Sequence, residues 1–198
     1  MTNGRGMYLF FDTETTGIPR NYKAAVTDLG NWPRVVQLAF LLTDGAGTPI
    51  TLQELLIKPE GFTIPADATR VHGITTEEAL AKGVPMEAAL GEFVMCLKAA
   101  KMLVAHNMAY DEKVLGAEFL RVGLGNPLPG MKRLCTMEAG TAFCALPWKY
   151  GKFKWPSLSE LHIKLFGKDF KGAHGALPDV HACATYFFAL KAKGAISA

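Results

Sequence analysis

The sequence predicts an α/β fold, a mixed central β-sheet flanked by helices, in a single domain over residues 1–198. Three observations lead there. Apolar residues make up 49% of the chain and charged residues 20%, which suits one sizeable core and leaves too little chain for two comfortable ones. The first strongly apolar runs are strand-like and lie close together. After Pro65 the apolar pattern takes a helical period, interrupted by one more short apolar run. Strands that begin as a hairpin and then alternate with helices build a mixed sheet with helices on its faces.

Taken in order, Met7 to Asp12 reads as a short buried strand ending in a carboxylate, and Thr16-Gly17-Ile18-Pro19 breaks it. Residues 18–33, polar with scattered Gly and Pro, predict a long loop. Arg34 to Asp44 is a strong strand, Gly45-Ala46-Gly47 turns the chain, and Ile50 to Ile57 returns as the second arm of a hairpin. Thr75, with Glu78 three residues on, starts a helix. Pro85 to Ala100 carries Met86, Leu90, Phe93, Val94 and Leu97 at helical spacing. Met102 to Ala105 is a buried strand. Tyr110 to Val122 shows Val114, Leu115, Phe119 and Val122 on one helical face and stops near Gly123. Ser157 and Glu160 form a capping box that opens a helix to Phe166. Pro178 to Lys191 is the last helix, with Pro in its first turn and Tyr186, Phe187, Phe188 and Leu190 assigned to the core.

The apolar run Met7 to Phe11 is too short for a signal peptide or a membrane span, so no membrane partner is expected. Cys96, Cys135, Cys144 and Cys183 are widely spaced with no CxxC pair, as expected of reduced core residues in a cytoplasmic protein. Charge is unevenly spread. Residues 1–130 hold 11 Lys and Arg against 14 Asp and Glu, whereas residues 131–198 hold 10 against 4. The acidic part can hold cations and the basic part can face a polyanion; chance clustering of solvated charge gives the same counts.

Asp12 and Glu14 are two apart at the end of the first strand, so both side chains point to one face. Two carboxylates so close repel unless a cation lies between them, and hard divalent ions favour oxygen ligands. Asp111 follows a buried strand and a polar turn, where an ordinary first-turn acid is equally at home. His174 and Asp179, in His-Gly-Ala-Leu-Pro-Asp before the last helix, can equally be a loop histidine and a capping acid. Together the five have one coherent chemistry. Cleavage of a phosphodiester needs an activated water and stabilisation of charge on the leaving oxygen. Two metal ions held by several carboxylates supply both, and a histidine with an unperturbed pKa near 6.5 can take the proton.

Phe11-Asp12-Thr13-Glu14-Thr15-Thr16-Gly17, then Ala105-His106-Asn107 leading to Asp111, then His174-x-Ala176-x-x-Asp179, resemble the three motifs of the DEDDh group of 3′→5′ exonucleases. These are relatives of the proofreading subunit of bacterial DNA polymerase III and of ribonuclease T. Val71-His72-Gly73-Ile74-Thr75 is similar to a segment common between the first two motifs. The resemblance implies a ribonuclease H-like fold and two Mg²⁺ or Mn²⁺ ions. It implies that Asp12, Glu14 and Asp179 ligate one metal, that Asp12 also touches the second with Asp111 in support, and that His174 is the general base. Implied too are nucleoside 5′-monophosphate products, a nucleic-acid substrate with a free, single-stranded 3′ end, and a polymerase or other repair protein as partner. Thr13 and Thr15 match positions that meet the terminal nucleotide, though Thr15 equally suits a turn. His72 and Asn107 match positions near the active site, where hydrogen bonds that hold loops are the competing role.

Two features depart from the commonest family pattern. The 18–33 loop is long and, with the residue that follows it, carries Arg20, Lys23, Trp32 and Arg34. Residues 147–156, Pro-Trp-Lys-Tyr-Gly-Lys-Phe-Lys-Trp-Pro, alternate bases with aromatics. Aromatics stack on unpaired bases while lysines meet phosphates, which makes Lys149 and Trp155 candidate substrate contacts. A loop that buries its aromatics and exposes its lysines is the alternative. His106, His162 and His181 are expected to be structural. A non-catalytic nucleic-acid-binding or polymerase-associated module would share much of this pattern, but none of the five catalytic positions is replaced.

Overall fold

A computed structural model of the protein describes residues 6–168 and 175–197. Its centre is a five-stranded sheet of β1 (Met7–Thr15), β2 (Val35–Thr43), β3 (Pro49–Leu56), β4 (Ala100–Ala105) and β5 (Arg133–Cys135), in the order β3-β2-β1-β4-β5. β2 and β3 pair antiparallel as the predicted hairpin, β1 pairs antiparallel with β2 as well, and β4 and β5 add in parallel. This is the mixed sheet of a ribonuclease H-like fold.

Among the described residues there are seven α-helices. They are α1 (Ala66–His72), α2 (Thr76–Lys82), α3 (Met86–Ala99), α4 (Met108–Arg121), α5 (Thr136–Cys144), α6 (Leu158–Phe166) and α7 (Ala176–Ala192). Thr75 caps α2 by accepting from the Glu78 N–H, and Ser157 with Glu160 forms the expected reciprocal box at α6. The sequence reading missed α1, β5 and α5. These elements are short, with three to nine residues each, and their apolar residues are too few to display a period.

The period of two along β1 sorts its side chains between two cores. Leu9 and Phe11 join α3 and α4 on one face, where Phe93 meets Phe11 and Phe40 at ring separations of 5.6 and 5.5 Å. Tyr8 and Phe10 join α7 on the other, through Val180, Cys183, Ala184 and Phe187. Of the predicted core stripe, Tyr186, Phe187 and Leu190 are buried and Phe188 packs at the edge. All four cysteines are buried and free.

Residues 18–33 form no regular element, as expected, but they are pinned. Arg121 donates to the carbonyls of Leu29, Trp32 and Pro33, Lys113 to those of Tyr22 and Ala24, and Trp32 Nε1 to Ala25 O. Beneath them Glu118, fully buried, is bridged by Arg34 at 2.9 Å and Arg121 at 2.8 Å, and accepts from Val35 N–H at 3.0 Å. Trp32 and Arg34 are therefore structural members of this loop.

Candidate active site

At the C-terminal end of β1 the alternation that sorts the core delivers two kinds of side chain. Asp12 and Glu14 continue the Tyr8 and Phe10 face, which packs on α7. Asp179 stands in the first turn of that helix. Asp12, Glu14 and Asp179 each present an oxygen within 4.8 Å of the other two. Thr13 and Thr15 continue the opposite face, toward α4. Thr13 donates from its N–H at 3.2 Å and its hydroxyl at 2.8 Å to Asp111 Oδ1, and Asp111 is almost wholly buried. Four of the five predicted catalytic residues thus gather around one strand end. The fifth, His174, lies outside the described residues.

Their electrostatics follow from burial and like charge. Burial pushes Asp12 well above the usual carboxylate range, and Asp111, Asp179 and Glu14 add to the rise. Burial, then Asp179, lifts Glu14 to about 7. Burial also raises Asp111, against the two hydrogen bonds from Thr13. Among the described residues no ion pair reaches Asp12 or Glu14. Half-buried oxygens that repel one another are the donor set a hard divalent cation satisfies, so these residues fit the implied metal.

Two clefts flank the cluster and share Asn107 between them. Asn107 precedes α4 with φ 78° and ψ 45°, a left-handed conformation that Asn tolerates better than most residues. The smaller cleft, about 320 Å³, is lined by Glu14, Thr15, Ile18, Tyr22, His72 and Tyr110, among others. Thr15 is committed to a turn: its hydroxyl lies 2.7 Å from Gly17 O and 2.6 Å from the Tyr110 hydroxyl, while Gly17 leaves the strand at φ 145°. His72 Nδ1 accepts from Ile74 N–H at 3.1 Å, so this residue both holds its turn and lines the cleft. The larger cleft, about 660 Å³, runs from Asp179 and His106 to Lys154 and Trp155. His106 makes hydrogen bonds from both ring nitrogens, at 3.0 Å to Thr136 Oγ1 and 3.1 Å to Pro156 O, as a structural histidine should. Its burial drives its pKa down to about 4.

Several lining residues escaped sequence reading. Tyr110, the immediate neighbour of Asp111, carried a signal in that adjacency. Ile18 and Tyr22 are exposed apolar residues in a polar loop, which was a weaker one. Lys154 lines the larger cleft, whereas Lys149 lies outside its lining, in an exposed 3₁₀ turn at Lys149–Gly151.

The RNase_T exonuclease family matches residues 9–187. The chain belongs to that family. It is a DEDDh-type exonuclease chain, and relatives agree. It is 30% identical over 138 residues to a DNA polymerase III subunit epsilon-like protein of Rhodobacter capsulatus, covering 68% of this chain but 18% of that relative. It is 28% identical over 179 residues to an uncharacterized exonuclease of Escherichia phage 186, covering 86% of this chain and 81% of that one. Its fold matches E. coli exonuclease I in complex with a dA16 oligonucleotide, with a TM-score of 0.71 and 22% identity over 94% of this chain and 41% of that one. The exonuclease chain therefore spans well under half the length of two of these three proteins. Among its described residues no helix is long and apolar enough to cross a membrane.

Proposed function

We propose that this chain is a metal-dependent 3′→5′ exonuclease that removes nucleoside 5′-monophosphates one at a time from a single strand of DNA or RNA. The observation that carries this reading is the convergence of Asp12, Glu14 and Asp179 to within 4.8 Å, where among the described residues no ion pair reaches Asp12 or Glu14. These three residues hold one Mg²⁺ or Mn²⁺, and Asp12 with Asp111 serves a second. When bound, the ions supply Lewis-acid stabilisation of charge on the phosphate oxygens. Thr13 fixes the Asp111 carboxylate through two hydrogen bonds, so that its orientation does not depend on substrate. His174, five residues before Asp179 in sequence, takes the proton from the attacking water. His72, Asn107 and the Thr15 turn shape the cleft that receives the terminal nucleotide, and Trp155 and Lys149 meet the rest of the strand. Exonuclease I, which shares the fold, was solved with a dA16 oligonucleotide, which supports a strand substrate. Resemblance to an epsilon-like protein supports a polymerase or another repair protein as partner.

Digestion of 5′-labelled single-stranded DNA and RNA oligonucleotides with Mg²⁺ or Mn²⁺, and with EDTA, tests the proposal. A ladder shortening from the 3′ end only when metal is present is the expected result, and the faster substrate names the nucleic acid. Binding without any cleavage would replace it with the accessory-module reading.

A further inference from the structure

Residues 147–156 fold as a small hairpin. Trp148 N–H donates to Lys152 O at 2.8 Å, Lys154 N–H donates to Leu146 O at 3.0 Å, and Pro147 bridges to Phe153. Its base is fixed to the catalytic end of the sheet by the His106–Pro156 hydrogen bond, and to α6 by a Lys154–Glu160 ion pair at 2.5 Å. A rigidly mounted hairpin with four aromatics would ordinarily turn them inward. These point out: Trp148 is 58% exposed, Tyr150 96%, Phe153 49% and Trp155 63%. Tyr150 sits at the tip with φ 59° and ψ 35°, a conformation costly for an aromatic residue, and Gly151 follows in the same region. An exposed apolar patch held this deliberately marks a contact surface.

Its position and charge name the contact. Trp148, Phe153, Lys154 and Trp155 line a groove of about 520 Å³, and Lys154 and Trp155 also line the 660 Å³ cleft that reaches Asp179. The patch is thus continuous with the carboxylate cluster. Lys149, Lys152 and Lys154 interleave the four aromatics, with no acidic residue among them. Alternating stacking faces and cations suit an unpaired nucleic-acid strand, whose bases offer π-faces and whose phosphates offer charge. The cleft on the other side of the cluster is smaller, about 320 Å³, and so is suited to the terminal nucleotide; the larger cleft and the groove beside it are left for the strand behind it.

We propose that this hairpin is a stacking platform for unpaired bases upstream of the terminal nucleotide, and that it sets affinity according to strand length. The proposal rests on the strand path of the exonuclease reading above. Trp148, Tyr150 and Phe153 are its anchors. A short strand fills only the cleft at the carboxylates and gains nothing from the platform; a longer one reaches it.

The test is binding in EDTA, by fluorescence anisotropy, of labelled dT strands of about 4 and about 16 nucleotides, the span that one such groove covers. The wild type is compared with Trp148→Ala/Tyr150→Asn, in which both changes fall on exposed positions and Asn tolerates the left-handed tip. Circular dichroism and Tm verify the fold. The expected result is a loss of about tenfold per aromatic, roughly 10²-fold in all, for the longer strand, with a change of about twofold or less for the shorter. Equal losses at both lengths, or none at either, would overturn the platform. Restoration of long-strand affinity by Trp148→Phe/Tyr150→Phe would show that the aromatic face is what matters. Hydrolysis of the same strands by wild type in Mg²⁺ reports separately on the exonuclease reading: length-dependent binding without cleavage would defeat that reading and leave the platform supported.

Discussion

Glu118 and Glu14 are the same side chain in two regions of the molecule, and the protein treats them oppositely. Glu118 is fully buried beneath the 18–33 loop and is met by Arg34, Arg121 and a backbone N–H. Two guanidinium groups offset its charge from within the fold, all three contacts falling on Oε1, and the network anchors the loop. Glu14 is half-buried among Asp12 and Asp179, its pKa lifted to about 7 by burial and by Asp179. The fold that supplies two guanidinium groups to one carboxylate supplies no ion pair, among the described residues, to the other. A neutralised acid holds structure together. An acid that no described side chain neutralises is available for chemistry.

That contrast can be broken most forcefully at the cluster. Asp12→Ala removes an oxygen proposed to serve both ions, and turnover should fall by more than about 10³-fold while circular dichroism stays native. Wild-type turnover by this variant would end the mechanism. His174→Ala, which spares the carboxylates, should slow hydrolysis near neutral pH by about 10²–10⁴-fold with Mg²⁺ affinity retained. At the other region the damage should move from rate to stability. Glu118→Ala strands two guanidinium groups and should cost about 3–5 kcal/mol in urea unfolding. A loss below about 1 kcal/mol would mean that the loop is held by its backbone hydrogen bonds alone.

Two smaller effects have opposite pH dependence. Glu14 has a raised pKa, so its cost to the metal-free fold is absent below the ordinary carboxylate value, grows up to about 7 and is fully present above. Glu14→Gln should therefore stabilise the protein in EDTA at pH 8 by about 1–3 kcal/mol, do nothing near pH 4, and lose its advantage when Mg²⁺ is added. His106 has a depressed pKa, so the stability it protects is complete above about 6.5 and drains away as the pH falls toward 4, up to about 3 kcal/mol. Urea unfolding of His106→Asn across that range should show a shallower acid loss than wild type. Parallel curves would remove His106 as the cause.

The order of the main strands and the long helices was legible because their apolar residues repeat at two or at about 3.6 over enough chain to count, as in β2 and α3. Capping at Thr75 and Ser157 was legible because it is local chemistry. In α1, β5 and α5 neither signal had room to develop. Asp12 and Glu14 could be placed on one face from their spacing alone. That Thr13 and Thr15 turn away, to Asp111 and to Tyr110, follows from the same alternation, but their partners arrive from 98 and 95 residues away.

The sequence by itself determined which side chains exist to do chemistry and, through period and capping, which elements carry them. Only the tertiary structure decided that Asp179, 167 residues beyond Asp12 in the chain, closes the same cluster, because the α7 helix must bury its apolar face on the side of β1 from which Asp12 and Glu14 project. It likewise decided that the aromatics of 147–156 face solvent. Composition sets how much apolar surface a chain owns, but whether a given ring is covered depends on what the rest of the fold packs against it, and the four rings of that hairpin are left largely exposed.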